Sequence, residues 1–258
     1  MHFQFFADYL KHRLIANNRH GTHSPFVYSL ADEVIYDFSH KPEYKSIEAL
    51  RKKLLNDDSG VLLQDFLPDS GFAPEKNYKI SRLLKLLMNA SKIDQLLFRI
   101  IRAAQTETTF EMHSNFGITT AYLAAAKPSS KVIAIESEEA LREIATKNLQ
   151  SLKVENVQQL PNGYTLENTL TNISKLDVLY IHAKNSAIDI FREFEMCLPK
   201  IHVNSFLIFD HIYADKKRKA SWSEIKNHPQ VTVTIDLFWI GLVYFRKGQA
   251  KQHFKLKL

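Results

Sequence analysis

Hydrophobic and polar positions follow two periodicities along this chain, and one gives way to the other near residue 100. Before that point apolar residues recur every three or four positions, as they do on the buried face of an α-helix. After it, short apolar runs of strand length alternate with longer helical stretches. The pattern therefore predicts a helical N-terminal region over residues 1–100 and an α/β domain over residues 101–258.

The first predicted helix, FQFFADYLKHRLIA, carries an apolar stripe at helical spacing, made of Phe3, Phe6, Tyr9 (or Leu10) and Leu14. We expect this helix to pack on the sheet domain or on a partner subunit. The N-terminal helices are accordingly a candidate surface for a homodimer.

A second helix is predicted to begin at Ser24–Pro25, because a serine hydroxyl caps helices and proline is favoured at the first helical position. Three further helices are predicted within residues 46–57, 80–90 and 91–105. The stretch 58–80, which contains two glycines and two prolines, is interpreted as a loop.

Seven strands are predicted in the second half, over residues 106–112, 131–136, 156–160, 176–182, 205–213, 231–238 and 241–246. Helical stretches separate all but the last two, and this alternation is typical of a parallel sheet covered by helices on both faces. The gap between the last two is too short for a crossover helix, so the last strand must run antiparallel. We expect a Rossmann-like, doubly wound α/β fold whose seven-stranded sheet has an antiparallel last strand.

The composition, with 45% hydrophobic and 24% charged residues, is that of an ordinary globular protein. No apolar run approaches the roughly 20 residues of a membrane-spanning helix, and the N-terminus is too charged for a secretory signal. The single cysteine, Cys197, excludes an internal disulfide and lies among apolar neighbours, which favours a buried packing role. We expect a cytoplasmic protein without a membrane partner.

The net charge is +6, and much of the excess lies in KKRK at 216–219 and in the C-terminal stretch 246–258. Such runs are usually solvated surface. They lack the interleaved aromatic residues of nucleic-acid-binding surfaces, so we do not expect a nucleic-acid partner.

The stretch EMHSNFG, residues 111–117, joins a predicted strand to a predicted helix. Nucleotide-type cofactors are commonly held at such turns, where backbone N–H groups at the start of a helix point at the ligand. These turns usually carry several glycines, whereas here only Gly117 is present. Asn115 tolerates left-handed backbone angles better than most residues, so we expect part of the turn geometry to survive.

Three stretches indicate a protein family in addition to a fold: NNRHGTHSPFVYSLADEVIYD at 17–37, IDQLLFRII at 93–101 and VTVTIDLFWIGLVYFR at 231–246. They resemble class I S-adenosylmethionine-dependent, O-methyltransferase-like proteins of Bacteroidetes-type bacteria. The resemblance covers nearly the whole chain, and RHGTHSPF is its most specific part because it lies outside the cofactor-binding fold. It implies S-adenosylmethionine as the cofactor.

In such relatives the first strand of the domain ends in Glu-Leu-Gly, followed by a Ser/Thr-containing turn and a second glycine. The resemblance therefore implies that Glu111 lies near the methionine amino group and that the turn contacts the cofactor through His113, Ser114, Asn115 and Gly117. His113 stands in the place of the first glycine. We expect its imidazole to crowd the methionine moiety at a position whose backbone angles favour glycine.

Two further positions match the cofactor pattern. Glu136 ends the second strand, where a carboxylate accepts hydrogen bonds from ribose hydroxyls; its alternative role is a charge at a helix N-terminus beside Ser137. Gly163 precedes a helix where relatives approach the adenine, and a plain turn explains this glycine equally well.

Relatives carry Asp-Gly and Asp-Asp at the next two strand ends, where this chain has His182–Ala183 and Asp210–His211. In similar catechol- and caffeoyl-CoA-type O-methyltransferases these positions bind Mg²⁺, which two imidazoles disfavour. His182, Asp210 and His211 instead suit a transition metal such as Zn²⁺ or Fe²⁺. The alternative is that both histidines line the cofactor cleft without an ion, with His182 contacting the cofactor.

The N-terminal block holds Arg19, His20, His23 and Ser24. They either cover the cleft and contact an acidic substrate, or only cap helix ends. Because histidine is the usual general base near neutral pH, the candidate catalytic residues are His182, His211 and His23.

Two functions remain open from the sequence. The first is methyl transfer from S-adenosylmethionine to an oxygen or nitrogen of a small molecule, a reaction that depends mainly on alignment of the reactants. The second is a fold that has lost catalysis and serves as a small-molecule-binding or protein-interaction module. Replacement of the first-turn glycine and of the strand-end aspartates favours the second, and the intact fold pattern favours the first.

Overall fold

A computed structural model of the chain describes residues 3–18, 23–63, 76–161, 163–184, 188–248 and 250–258. It contains two compact units, each described here by itself. Unit 1 comprises Met1–Phe38, Leu166–Ala183 and Ile188–Leu258, and unit 2 comprises Ser39–Thr165 and Lys184–Ala187. The units interleave along the chain and do not coincide with a boundary at residue 100, so the predicted domain division stays a prediction.

The described residues form helices α1 (Phe3–Ile15), α2 (Pro25–Leu30, continued by a π-helical turn Ala31–Ile35), α3 (Tyr44–Leu55), α4 (Ile80–Leu87), α5 (Ser91–Ala103), α6 (Ile118–Ala126), α7 (Glu139–Ser151), α8 (Leu166–Thr171), α9 (Ile190–Cys197, with a 3₁₀ turn Leu198–Lys200) and α10 (Lys216–Asn227). The strands are β1 (Gly60–Leu63), β2 (Lys76–Lys79), β3 (Thr108–Met112), β4 (Lys131–Ile135), β5 (Val157–Leu160), β6 (Leu176–Ile181), β7 (Ile201–Asp210), β8 (Val233–Asp236), β9 (Ile240–Tyr244) and β10 (Gln252–Lys255). The predicted start of α2 is confirmed, because the Ser24 side chain accepts a hydrogen bond from the Val27 N–H and Pro25 is the first helical residue.

The strands of unit 1 lie in the order β10-β8-β9-β7-β6, and three strands of unit 2 lie in the order β3-β4-β5. In unit 2, β4 lies parallel to both β3 and β5. In unit 1, β6 and β7 are parallel, and β9 runs antiparallel to both β7 and β8. The Rossmann-like α/β class and the antiparallel strand next to the end of the sheet are therefore confirmed.

The prediction of seven strands was wrong, because the C-terminal basic stretch contributes an eighth. β10 pairs in parallel with β8, and Leu256 beyond it is fully buried. The four residues QHFK give no strand pattern in the sequence. Their pairing depends on the edge of β8, which is distant along the chain. The predicted loop at 58–80 was also wrong in part, because β1 and β2 pair there as an antiparallel hairpin.

A buried ion pair ties helices of unit 2 together. The Arg51 guanidinium on α3 contacts the Asp94 carboxylate on α5, and it donates to the Asn89 carbonyl at 2.9 Å. The Thr119 hydroxyl on α6 donates to the other Asp94 oxygen at 2.9 Å. A charge this deeply buried is tolerated only when it is paired and hydrogen-bonded, so this arrangement holds the three helices in register.

Helix α1 packs on the β8–β9 connection of unit 1, through a face that shares only Tyr9 with the described part of the predicted stripe. Phe5 and Tyr9 meet the Phe238 ring edge-on, with centroids 5.1 and 5.0 Å away, and His12 is buried beside them. The predicted stripe was right at Tyr9 and wrong at Phe6 and Leu14, which are exposed, as is Leu10, the alternative to Tyr9. Aromatic residues occur on both faces of this helix, so periodicity alone does not select the buried one.

The basic run at 216–219 begins α10 and is only partly solvated. Arg218 is buried, and the Lys219 ammonium lies 2.6 Å from Asp8, while that of Lys217 lies 3.3 Å from Asp189. The interpretation of this run as solvated surface was therefore wrong for Arg218. Local ion pairs offset much of its charge.

Two smaller expectations concern burial. Cys197 is fully buried in α9, where its thiol donates to the Glu193 carbonyl, and burial raises the pKa of the thiol well above its usual range. The packing role predicted for it is confirmed. Within the described ranges, no helix is long and apolar enough to cross a bilayer.

Trp222 of α10 packs against β9 over Gly241. A Cβ placed on Gly241 would lie 2.6 Å from the nearest atom of the Trp222 ring. The strand therefore needs a glycine here because the indole occupies the space of a side chain.

Gly241→Ala should lower the free energy of unfolding by about 1–3 kcal/mol, the usual cost of overpacking a filled core. Urea unfolding measures this change. Trp222→Phe removes the part of the ring that a methyl group would strike, so the double variant should lose less stability than the sum of the two single variants. Additive losses would contradict the proposed contact.

Candidate functional site

The turn after β3 takes left-handed backbone angles at alternate residues. The φ angles are 59° at His113, 50° at Asn115 and 74° at Gly117. Only the last is a glycine, although such angles cost a residue with a Cβ about 1–2 kcal/mol. The expectation that position 113 favours glycine and that Asn115 preserves the turn is therefore confirmed in the backbone.

Hydrogen bonds hold this turn in place. The His113 N–H donates to the Ile135 carbonyl at 2.8 Å, and the Asn115 side-chain amide donates to the His113 carbonyl at 2.6 Å. The Gly117 N–H closes the turn on the Ser114 carbonyl at 2.9 Å. A Cβ at residue 117 would meet Ala145 of α7 at 3.1 Å, so space and backbone angle both require glycine there.

Glu136, just after β4, anchors the turn from the neighbouring strand. Its buried carboxylate accepts the Asn115 N–H at 2.7 Å and the Glu138 N–H at 3.0 Å. Burial raises the pKa of Glu136, and these two N–H groups oppose that rise. The carboxylate thus fixes the turn and meets the start of α7, in line with the helix N-terminal role that the sequence offered for it. The ribose contact stays a prediction.

Glu111 is the most unusual side chain of the turn region. It is fully buried on β3, and among the described residues neither carboxyl oxygen has a hydrogen-bond partner. Burial raises its pKa to about 8, with Asp94 and Glu136 contributing in the same direction and the nearby Thr120 hydroxyl opposing them. The carboxyl group is therefore largely protonated at neutral pH.

The Ser114 hydroxyl is also buried, and it likewise has no hydrogen-bond partner within the described part of the chain. Buried polar atoms without partners are rare in folded proteins and costly, at about 1–3 kcal/mol each. The turn thus presents an acid and a hydroxyl whose hydrogen bonding a polar ligand would complete.

Gly163 lies in the exposed turn before α8, with a φ angle of 89°, and a Cβ placed on it would have no atom within 4 Å. Its backbone angle explains the glycine without a ligand. The adenine contact implied by the family resemblance stays a prediction.

A second cluster lies in unit 1, where β6 and β7 end side by side. Asp210 is fully buried, and its carboxylate accepts the Ala183 N–H and, at 3.0 Å, the Tyr180 hydroxyl. His182 Nε2 lies 3.7 Å from one carboxylate oxygen, and His211 Nδ1 lies 3.3 Å from the other. The two imidazoles therefore flank a single carboxylate, and their rings are stacked with centroids 6.5 Å apart.

Asp210 is ionised in this cluster. Burial acts to raise its pKa, but His182, His211 and the Ala183 N–H outweigh burial and hold the pKa well below its usual range. His182 is almost fully buried, whereas His211 is partly exposed and has a left-handed φ of 52°. His211 is thus the imidazole of the pair that solvent or a substrate can reach.

The histidines and the aspartate meet, as predicted, but not as a metal site. Among the described residues no group of three or more His, Cys, Asp or Glu side chains is arranged to hold a metal ion. The imidazoles approach Asp210 from its two oxygens, and backbone and tyrosine donors occupy the same carboxylate. The geometry therefore does not support the Zn²⁺ or Fe²⁺ hypothesis.

The remaining candidates lie elsewhere. His23 is exposed and lines a separate cavity of unit 1 with residues of α10, β8 and β10, and none of the residues lining that cavity belongs to the Asp210 cluster. Arg19 and His20 lie outside the described residues. Sequence reasoning missed Tyr180; its position two residues before His182, on the same face of a strand, is the signal that it shares that environment.

Comparisons with known proteins bear on the fold. No protein-family model and no curated protein matches the chain. Solved structures do match: the SAH-bound methyltransferase PaMTH1 of Podospora anserina has a TM-score of 0.58 and 12% identity, over 88% of this chain and 100% of that one. An O-methyltransferase from Bacillus cereus in complex with SAH has a TM-score of 0.55 and 12% identity, over 84% of this chain and 96% of that one.

The O-methyltransferase TomG of Streptomyces achromogenes, involved in tomaymycin synthesis and solved in complex with SAM, is similar to the same extent. Its TM-score is 0.53 and its identity 17%, over 85% of this chain and 95% of that one. The chain therefore has the Rossmann-like fold of methyltransferases. At these identities the likeness concerns the fold, and the activity has to be argued from the site.

His113→Gly should be more stable than His113→Ala by about 1 kcal/mol, because both remove the imidazole and only glycine removes the Cβ from a left-handed residue. Urea unfolding of the two variants measures the difference. Equal stabilities would mean that residue 113 does not hold this backbone angle in solution.

Glu111→Gln should become more stable than the wild-type protein as pH rises. An unfolded-state glutamate has a pKa near 4.5, and the folded-state value is about 8. Below the lower value both states are protonated and burial of the acid carries no ionisation penalty; between the two values the wild-type protein progressively loses stability. The neutral glutamine has no such dependence.

The measurement is the difference in unfolding free energy between the two proteins from pH 5 to pH 9, which removes contributions from other groups. We expect the difference to shift toward the variant by a few kcal/mol across this range. A difference that does not change with pH would rule out the raised pKa.

Proposed function

We propose that this protein is an S-adenosylmethionine-dependent methyltransferase that methylates an oxygen or nitrogen of a small molecule. The observation that carries the proposal is the buried Glu111 carboxyl group, which has no hydrogen-bond partner among the described residues and lies at the end of β3, beside the left-handed turn. The methyltransferase-like fold, and neighbours of that fold that are solved with SAM or SAH, support it.

The residues of the turn fit this cofactor. Glu111 would meet the methionine amino group, and Ser114 and the N–H groups that open α6 would complete the polar contacts, while Glu136 holds the turn open from β4. When bound, S-adenosylmethionine supplies an electrophilic methyl group on a positively charged sulfur. Methyl transfer needs no covalent enzyme intermediate. The chain itself therefore has to bind the cofactor and the acceptor, orient them toward each other and exclude water.

We assign the proton-accepting role to His211. Of the two imidazoles at Asp210 it is the exposed one, and the ionised carboxylate stabilises the positive charge that forms when an acceptor O–H or N–H gives up its proton. His182 and Tyr180 hold Asp210 from the other oxygen. A cytoplasmic location, a homodimer through the N-terminal helices and the Bacteroidetes-type origin belong to the proposal as expectations.

Calorimetric titration of the purified protein with S-adenosylmethionine and S-adenosylhomocysteine tests the proposal. We expect micromolar binding that Glu111→Gln weakens by about ten- to a hundred-fold, the usual worth of a hydrogen bond to a charged group. Glu139→Gln, which removes an exposed carboxylate at the start of α7, is the matched control and should leave the affinity unchanged.

Proton release gives a sharper readout of the same contact. Because the Glu111 pKa is about 8 in the free protein, an ammonium group placed beside it should drive off roughly 0.9 proton at pH 7. Titrations in buffers of different ionisation enthalpy measure this number. Glu111→Gln should release none.

His113→Gly should strengthen binding several-fold if the imidazole crowds the methionine moiety. If the variant binds the cofactor with the affinity of the wild-type protein, the His113 imidazole does not crowd the methionine moiety. A protein that gives neither heat nor a thermal shift with millimolar ligand is not a methyltransferase of this kind, and the alternative of a fold that has lost catalysis then applies.

A further inference from the structure

A cavity of about 400 Å³ lies within unit 1, on the face of the sheet formed by β8 and β10. Its floor contains Thr234 and Asp236 of β8, and β10 contributes His253 and Lys255. These four residues face each other in register, His253 opposite Thr234 and Lys255 opposite Asp236. The volume is within the usual range for small-molecule sites, about 300–1,000 Å³.

Two lysines give the described lining of the cavity an excess of positive charge. Lys226 of α10 and Lys255 of β10 both line it, together with the imidazoles of His23 and His253. Both lysine side chains are half-buried, so their ammonium groups are not simply solvated surface charges. The apolar remainder of the lining includes Phe254 and Ile15.

The one acidic side chain in the lining is already engaged. One Asp236 carboxylate oxygen is 3.1 Å from His12 Nε2 and accepts the Phe238 N–H at 3.0 Å. The other accepts the Tyr213 hydroxyl at 2.6 Å. Both oxygens of Asp236 are therefore already hydrogen-bonded to groups other than the lysines. Its single negative charge offsets only part of the charge of the two lysines.

The titration of the lining agrees with this uncompensated charge. The pKa of Lys226 is lowered by burial and by Lys255, against the opposing effect of Asp236. The pKa of His253 is lowered by burial and by Lys226 and Lys251. An anion placed between these groups would relieve their mutual repulsion.

We propose that this cavity is a binding site for a small organic phosphate monoester, with Lys226 and Lys255 holding the phosphate and the apolar side chain of Ile15 contacting the organic part. The Thr234 hydroxyl and the His253 ring, which are 2.8 Å apart, supply further hydrogen-bonding groups at the cavity. A phosphate monoester carries nearly two negative charges at neutral pH and accepts several hydrogen bonds, which matches two lysines and two neutral polar groups. None of these residues belongs to the proposed methyltransferase site, so the proposal stands independently of that function.

Titration with phenyl phosphate, followed by calorimetry at low ionic strength and pH 7.5, tests the site. We expect a dissociation constant below 1 mM, about ten-fold weaker binding of inorganic phosphate and no binding of uncharged phenol. Lys226→Gln and Lys255→Gln should each weaken phenyl phosphate binding by at least about ten-fold. Lys216→Gln, an exposed lysine at the start of the same helix as Lys226, is the control and should bind as the wild-type protein does.

Thermal unfolding of each variant establishes that it is folded. We expect glutamine to be accommodated at both positions, because Lys226 and Lys255 are only half-buried. The proposal is overturned if phenyl phosphate does not bind at 10 mM, or if the Lys226 and Lys255 variants bind it as well as the wild-type protein. An equal loss in Lys216→Gln also overturns it, because the effect would then be one of net charge. If inorganic phosphate binds as tightly as phenyl phosphate, the organic group contributes nothing to binding. The cavity would then be a site for phosphate alone.

Discussion

The candidate site depends on one constraint: the chain must turn from β3 into α6 with left-handed backbone at residues 113, 115 and 117. A loop with several glycines meets this demand at little steric cost, but this chain meets it with a histidine, an asparagine and one glycine. The strain is offset by hydrogen bonds, above all by the Glu136 carboxylate on the Asn115 N–H. The turn therefore takes a left-handed path while carrying side chains where a glycine-rich loop would have none.

Two buried carboxyl groups at strand ends have pKa values shifted in opposite directions by their surroundings. Glu111 has carboxylates as its charged neighbours, and no well-formed hydrogen bond to it is present among the described residues, so burial raises its pKa. Asp210 is equally buried, yet two imidazoles and a backbone N–H lower its pKa. One group is therefore largely protonated at neutral pH, and the other keeps its negative charge.

The C-terminal strand changes the chemistry of the sheet edge as well as its width. β10 covers the hydrogen-bonding edge of β8, which protects an otherwise open strand. It also sets Lys255 and His253 opposite Asp236 and Thr234, which creates the cationic lining of the cavity. The composition alone describes this basic tail as solvated surface. Its pairing with β8 instead places its residues in the lining of a cavity.

The sequence by itself determined the α/β class, most strands, the antiparallel turn-back after β8 and the start of α2, because hydrophobic period, capping residues and short gaps are local properties. It also pointed to the residues of both clusters, since parallel strands bring their ends together. Only the tertiary structure decided the buried face of α1, the pairing of β10, the partners of Asp210 and the absence of partners for Glu111 within the described chain. Those outcomes depend on contacts between segments far apart in sequence, and burial, which sets the pKa of each carboxyl group, exists only after such segments have packed.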